Sequence, residues 1–278
     1  MENNTKKIWI GLVLLIFIGI GLAFYYCFYH PSEEPTLIGQ PGEKESPLPP
    51  SPQALQEKEK EISPIPYVGL DKSDARIRKG IKDLASHPKF AEWLKNENII
   101  RIITAAVDNI ADGLSPRVHL SFLSPQKGFE VTGKGRKLYL DPQGFNRYNL
   151  VANVFSSLDA QASIRVYKEL KLYFQGAYRE LGYPNRDFQD TLIRAMEELL
   201  RTPIVEGKIL LEEEEESIDY RMVDDYLEDL SDAQKHLIRM GPKNGRKIQA
   251  KLREMALALG VPENQLPQAQ VYATKNWP

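Results

Sequence analysis

Residues 8–29 read IWIGLVLLIFIGIGLAFYYCFY, 22 positions without a charged side chain. A helix crossing a bilayer needs about 20 such residues. Within hydrocarbon every backbone N–H and C=O must be paired internally, so the run is expected to be a membrane-spanning helix. Lys6 and Lys7 precede it, and no Lys or Arg follows until Lys44. The excess of positive charge before the span predicts a cytoplasmic N-terminus and places everything after it outside. Tyr25, Tyr26, Phe28 and Tyr29 at one end and Trp9 at the other match the aromatic preference for headgroup boundaries. A cleaved signal peptide fits less well, because the apolar run is too long and bulky aromatics follow Gly21-Leu22-Ala23. Gly19 and Ala23 form a small-xxx-small pair through which two such helices could associate, so a homo-oligomer is compatible with the sequence.

Four segments follow: a cytoplasmic tail (1–7), the span (8–29), a proline-rich linker (30–68) and a soluble domain (69–278). The linker carries proline at 31, 35, 41, 47, 49, 50, 52, 64 and 66. Proline lacks the N–H for regular pairing, and few bulky apolar residues interrupt the run, so it reads as a spacer. The expected localisation is the inner (cytoplasmic) membrane, single-pass, with the soluble domain in the periplasm.

The chain of 278 residues has a formal net charge of -2. That balance gives no general reason to expect nucleic acid as a partner. Its one cysteine, Cys27, lies in the span. An internal disulfide, a cysteine-based zinc site and Cys–His catalysis in the soluble part are therefore excluded. Histidines at 30, 87, 119 and 236 have no ligand spacing, so no metal is expected. No nucleophile elbow or dinucleotide fingerprint is present, and no cofactor is expected.

The soluble domain reads as mainly α, an α+β fold of one compact helical body with one or two small β-hairpins. Ser73 is a candidate cap for a helix carrying Ile77, Ile81 and Leu84. Phe90, Trp93 and Leu94 mark a short helix after Pro88, and Asn98 to Asp112 a longer one stopped by Gly113. Phe129–Val131 and Leu138–Leu140 read as strands joined by a turn over Thr132–Lys137. Asp141-Pro142 opens a helical region, and Asp159 caps a single helix running to Leu181. Its aromatic stripe, including Tyr167, Tyr173, Phe174 and Tyr178, reads as core. Phe188 to Leu200 is another helix. Ile209 and Leu211, then Ile218, Tyr220 and Met222, alternate as strands do, and Glu212 to Glu216 between them read as a solvated turn. Ser231 with Gln234 has the form of a capping box for a helix to Met240. Gly241-Pro242 breaks it, and a last helix continues to Leu259.

Three places invite functional readings. Asp108 and Asn109 are polar residues within a strongly apolar helix. One reading has one of them facing water and the other capping a loop; the other makes Asp108 a site carboxylate with a raised pKa. The basic last helix carries Lys243, Arg246 and Lys247, a wet face or a phosphate grip. Carboxylates suit glycan hydrolysis; such a pair is set by distance in space and not by sequence, and the region around Asp108 and Asp141 is where an envelope hydrolase could have one.

The run LSDAQKHLIRMGPKN at 230–244 resembles the bacterial, membrane-anchored family 3014 of the domains of unknown function. AYRELGYP at 177–184, VDNIA at 107–111 and Arg147-Tyr148 are similar to it as well. The resemblance covers nearly all of the soluble domain and implies the same plan of tail, span, spacer and helical domain. It brings no activity, so Arg147, Tyr148 and Arg239 enter as interaction or polar-site candidates only. The resulting expectation is a non-enzymatic interaction or scaffolding module of the cell envelope, bound to the bilayer through 8–29 and to a protein partner of unknown identity. The alternative is the carboxylate-dependent hydrolase.

Overall fold

The computed structural model describes residues 67, 69–72, 74–81, 84–85, 87–125, 128–135, 137–213 and 220–274. All lie within the unit Glu59–Pro278. The span expected at 8–29, the spacer expected at 30–68 except Tyr67, the Ser73 cap, Ile218 and Glu214 to Glu216 lie outside them. Among the described residues no helix is long and apolar enough to cross a membrane.

The unit is mainly helical. In chain order α1 is Asp74–Ile81, α2 Pro88–Trp93 and α3 Ile99–Ala111; β1 is Val131–Lys134 and β2 Lys137–Leu140. Helices α4 (Asn149–Ser156), α5 (Ala160–Glu169), α6 (Lys171–Glu180) and α7 (Phe188–Leu200) follow. Then come β3 (Ile204–Glu206), β4 (Leu210–Glu213), β5 (Tyr220–Met222), α8 (Asp225–Glu228), α9 (Asp232–Ile238), α10 (Pro242–Leu259) and β6 (Val271–Ala273).

Local chemistry explains the helix ends. Asn98, with a left-handed backbone (φ 55°), offers α3 no side-chain cap. The Asp74 carboxylate supplies it from α1, accepting from the Asn98 and Ile99 N–H groups at 2.7 and 3.3 Å. Asp159 Oδ1 caps α5 by accepting from Ala162 N at 2.7 Å. Ser231 and Gln234 form the expected capping box at α9. The helix read as continuous to Leu181 is two, α5 and α6, which part at Leu170. Leu170 is buried there, and the bend lets both apolar stripes face one core. Helix α9 ends at Ile238, two residues before the expected Met240.

That core is aromatic at its centre, as the stripe predicts. Tyr173 and Tyr178 are fully buried. Phe174 stacks on Phe188 with ring centroids 5.3 Å apart. Ile248, Leu252, Met255 and Ala256 of α10 join the same cluster.

A smaller apolar cluster lies against a four-stranded antiparallel sheet of order β1-β2-β4-β5. It gathers Leu140, Val205, Ile209, Leu211, Met222, Leu227 and Ile238. Leu138 stands opposite Leu211, and Leu211 opposite Met222. The two expected hairpins are therefore joined into one sheet through β2 and β4. The first turn is tighter than expected: Thr132 to Lys134 and Lys137 are paired strand, and Phe129 and Glu130 lie before it. Backbone pairing holds these polar residues where side-chain alternation gives no strand signal. Strands β3 and β6 form a separate parallel pair that the sequence did not announce.

Candidate functional site

Asp108 and Asn109 divide the two roles that the sequence left open. Asn109 braces a loop, its Nδ2 donating to Ser115 O at 3.4 Å and its carbonyl accepting from Leu114 N at 2.7 Å. Asp108 is half-buried, with the Tyr183 and Tyr178 hydroxyls near enough to favour its charged form. Burial first, then the charge of Asp112, raises its pKa above the ordinary aspartate value, and the two hydroxyls and Arg194 offset part of that rise. Tyr178 Oη is also 2.9 Å from Thr191 Oγ1 in the core, and Tyr183 stacks on Tyr178 at 4.7 Å.

Asp141 does something else. Its Oδ1 accepts from Gln143 N at 3.0 Å and caps the 3-10 turn Pro142–Tyr148. The carboxyl groups of Asp108 and Asp141 share no hydrogen-bond partner. An open groove of about 730 Å³ beside α6, lined by Lys168, Lys171, Arg179 and Arg186, contains neither.

The basic face of α10 is largely compensated by the fold. Arg246 pairs with Glu206, Lys251 with Glu254 at 2.5 Å, and Arg253 with Glu263 at 2.5 Å. Lys247 donates to Asn153 Oδ1 at 2.5 Å. Lys243 is exposed.

A different cluster assembles around Arg147. Its guanidinium lies over two rings, 5.3 Å from the centroid of Phe129 and 4.7 Å from that of Tyr148. Nη2 donates to Tyr148 Oη at 3.1 Å. Nε is buried and has no hydrogen-bond partner among the described residues. From Phe129 the contacts continue to the Tyr220 ring at 5.7 Å, and Tyr220 O accepts from Arg239 Nη2 at 3.3 Å. Arg239 stands one turn beyond His236 on α9, and the His236 ring is 6.2 Å from Tyr148. The circuit Arg147–Phe129–Tyr220–Arg239–His236–Tyr148 thus closes on itself. Ser115 Oγ lies 3.3 Å from His236 Nδ1 and accepts from Arg117 N at 3.4 Å, which brings Arg117 alongside.

The electrostatics are predominantly positive, with the Glu228 carboxylate, paired to Lys235, acting on Arg239 at longer range. Burial, followed by the charges of Arg239, Arg117 and Arg147, lowers His236 to a pKa of about 4, so the imidazole is neutral at pH 7. Among the described residues none of the three arginines makes an ion pair with a carboxylate, whereas Arg101 meets both Asp71 and Glu180. The arrangement offers fixed cations, aromatic faces and an uncharged imidazole.

Of the sequence candidates, Arg147, Tyr148 and Arg239 come together here; Asp108, Asp141, Arg246 and Lys247 have other partners, and Lys243 is exposed. Ser115, Arg117, Phe129, Tyr220 and His236 were missed. His236 alone carried a signal, since three-residue spacing puts it on one helical face with Arg239.

No curated protein and no solved structure matches this chain. The family described as "Protein of unknown function (DUF3014)" matches residues 99–256, a range that holds the whole circuit around Arg147. The chain is a member of that family.

Proposed function

We propose that this chain is a single-pass inner-membrane protein whose helical domain, held off the bilayer on the periplasmic side by the proline-rich spacer, is a non-enzymatic interaction module. The uncharged run at 8–29 and the lysines before it support the placement. The observation that carries the module reading is Arg147, stacked on Phe129 and Tyr148 with no carboxylate among the described residues to balance it. Apolar side chains stand exposed in the same stretch of chain: Leu114 at 52%, Val118 at 82% and Phe129 at 37%. Arginine and aromatic residues are enriched among the residues that carry interface energetics, and exposed apolar surface marks interaction sites.

The test is a photo-crosslinking amino acid at Val118 in cells, with the exposed Ala250 of α10 as control. A protein adduct at position 118 and none at 250 is expected. No adduct, or equal adducts at both, would overturn the reading. Paired reporters at the C-terminus, one active only outside the cytoplasm and one only inside, test the placement: outside activity is expected.

A further inference from the structure

We infer that the Arg147 surface receives an acidic peptide segment of a protein partner, with carboxylates on Arg147 and Arg239 and an apolar side chain against Phe129; this rests on the docking reading above. A guanidinium lying over two rings keeps its in-plane N–H edge as its remaining polar surface. That edge fits a planar carboxylate with two parallel hydrogen bonds. Arg147 uses one N–H on Tyr148 Oη, and its Nε is buried without a partner among the described residues. Arg239 uses one on the Tyr220 carbonyl. Arg117 sits beside them, tied through its backbone to Ser115. Three permanent charges that make no ion pair with a carboxylate among the described residues repel one another; Glu228, which acts on Arg239 at longer range, is already paired with Lys235, and a negatively charged ligand relieves the remaining repulsion.

The apolar neighbours decide what kind of anion. A free phosphate has no use for Leu114, Val118 and Phe129, which stand exposed. A peptide that alternates acidic and apolar side chains covers both features at once. The neutral His236 and the hydroxyls of Ser115 and Tyr148 add hydrogen-bonding capacity without adding charge.

The experiment is a selection of random nonapeptides displayed on phage against the full chain in nanodiscs. Expected is a consensus with two acidic positions around an apolar one. The synthetic consensus peptide should bind by fluorescence anisotropy, lose at least tenfold when its acids are changed to Gln, and lose at least tenfold on Arg147→Glu and on Arg239→Glu. Circular dichroism checks that the variants fold, and Arg147→Gln and Arg239→Gln replace any that do not. A neutral or basic consensus, no enrichment, or binding indifferent to Arg147 overturns the inference. So does displacement by millimolar inorganic phosphate or by phosphatidylglycerol vesicles, which would make the site one for phosphate. Sedimentation as a dimer that Arg147→Glu dissociates would give the place to a second copy. If the Val118 adduct forms while no acidic consensus appears, the docking reading stands and this inference falls; loss of both removes both.

Discussion

His236 meets Tyr148 edge-on, the ring centroids 6.2 Å apart and the planes at 67°. The imidazole is neutral in the fold, with a pKa lowered to about 4 by burial and by Arg239, Arg117 and Arg147. The unfolded chain takes up that proton below about pH 6.5. Its contribution to stability is therefore complete above that pH and is lost as pH falls toward 4. Urea melts should show wild type losing about 2 kcal/mol between pH 7.5 and pH 5, and about 3 kcal/mol by pH 4. His236→Gln should remove this loss between pH 7.5 and 5, a window above that in which the lowered carboxylates Asp187 and Glu228 titrate, leaving only the opposite and smaller drift from the raised Asp108.

Asp108 has the opposite sign. A carboxyl group whose pKa is raised in the fold contributes stability below its unfolded value and loses it as pH rises through the folded one. At pH 7 its charge is held half-buried at a cost. Asp108→Asn should leave the urea midpoint at pH 7 unchanged or higher, since an amide oxygen still presents an acceptor to the tyrosines. That advantage should shrink when the pair is compared at pH 4. A clear loss at pH 7 would mean that the ionised carboxylate itself holds Tyr178 and Tyr183.

Asn244 should resist substitution for reasons of geometry. It is buried, and its Nδ2 donates to both Phe145 O and Met240 O at 3.0 Å. Asn244→Ala leaves two carbonyls short of a partner and should cost about 2–4 kcal/mol by thermal or urea melting. Asn244→Asp should do worse, because it sets a carboxylate against two carbonyl oxygens.

Gly241 is fixed from two directions. Its φ is 84°, and a Cβ there would fall 2.4 Å from Phe145 Cγ. Gly241→Ala should lower stability by about 2–4 kcal/mol, combining backbone strain with displacement of the ring. Because Phe145 also supplies the carbonyl that Asn244 holds, the double variant should lose less than the sum of the single losses.

What the sequence revealed divides by range. Ser231 with Gln234, Asp159 and Gly113 act within a turn of their own helix, so their chemistry is readable from neighbours alone. The alternation of Ile209 and Leu211 shows its strand for the same reason. Strands β3 and β6 are three residues each and pair at a distance, which leaves no periodicity to read. The bend at Leu170 has no proline or glycine to mark it; the common core imposes it. The circuit around Arg147 draws on five separate stretches of chain, from the Ser115 loop to α9. Arg147, Tyr148 and Arg239 were visible only through their resemblance to a family, and Phe129 and Tyr220 only once the sheet was assembled. The bases of α10 read alike in sequence, and only Glu206, Asn153 and Glu263 across the fold determine that Arg246, Lys247 and Arg253 are engaged while Lys243 stays exposed.

The parallel pairing of Ile204 with Val271 sets a timetable for the nascent chain. Strand β3 is made and emerges some 67 residues ahead of its partner. At 5–20 residues per second that is about 3 to 13 s in which Ile204 and Val205, destined for burial, have one strand edge bare. Any aggregation of this chain during synthesis should begin there, and chaperones that shield short apolar edges should matter most in that interval.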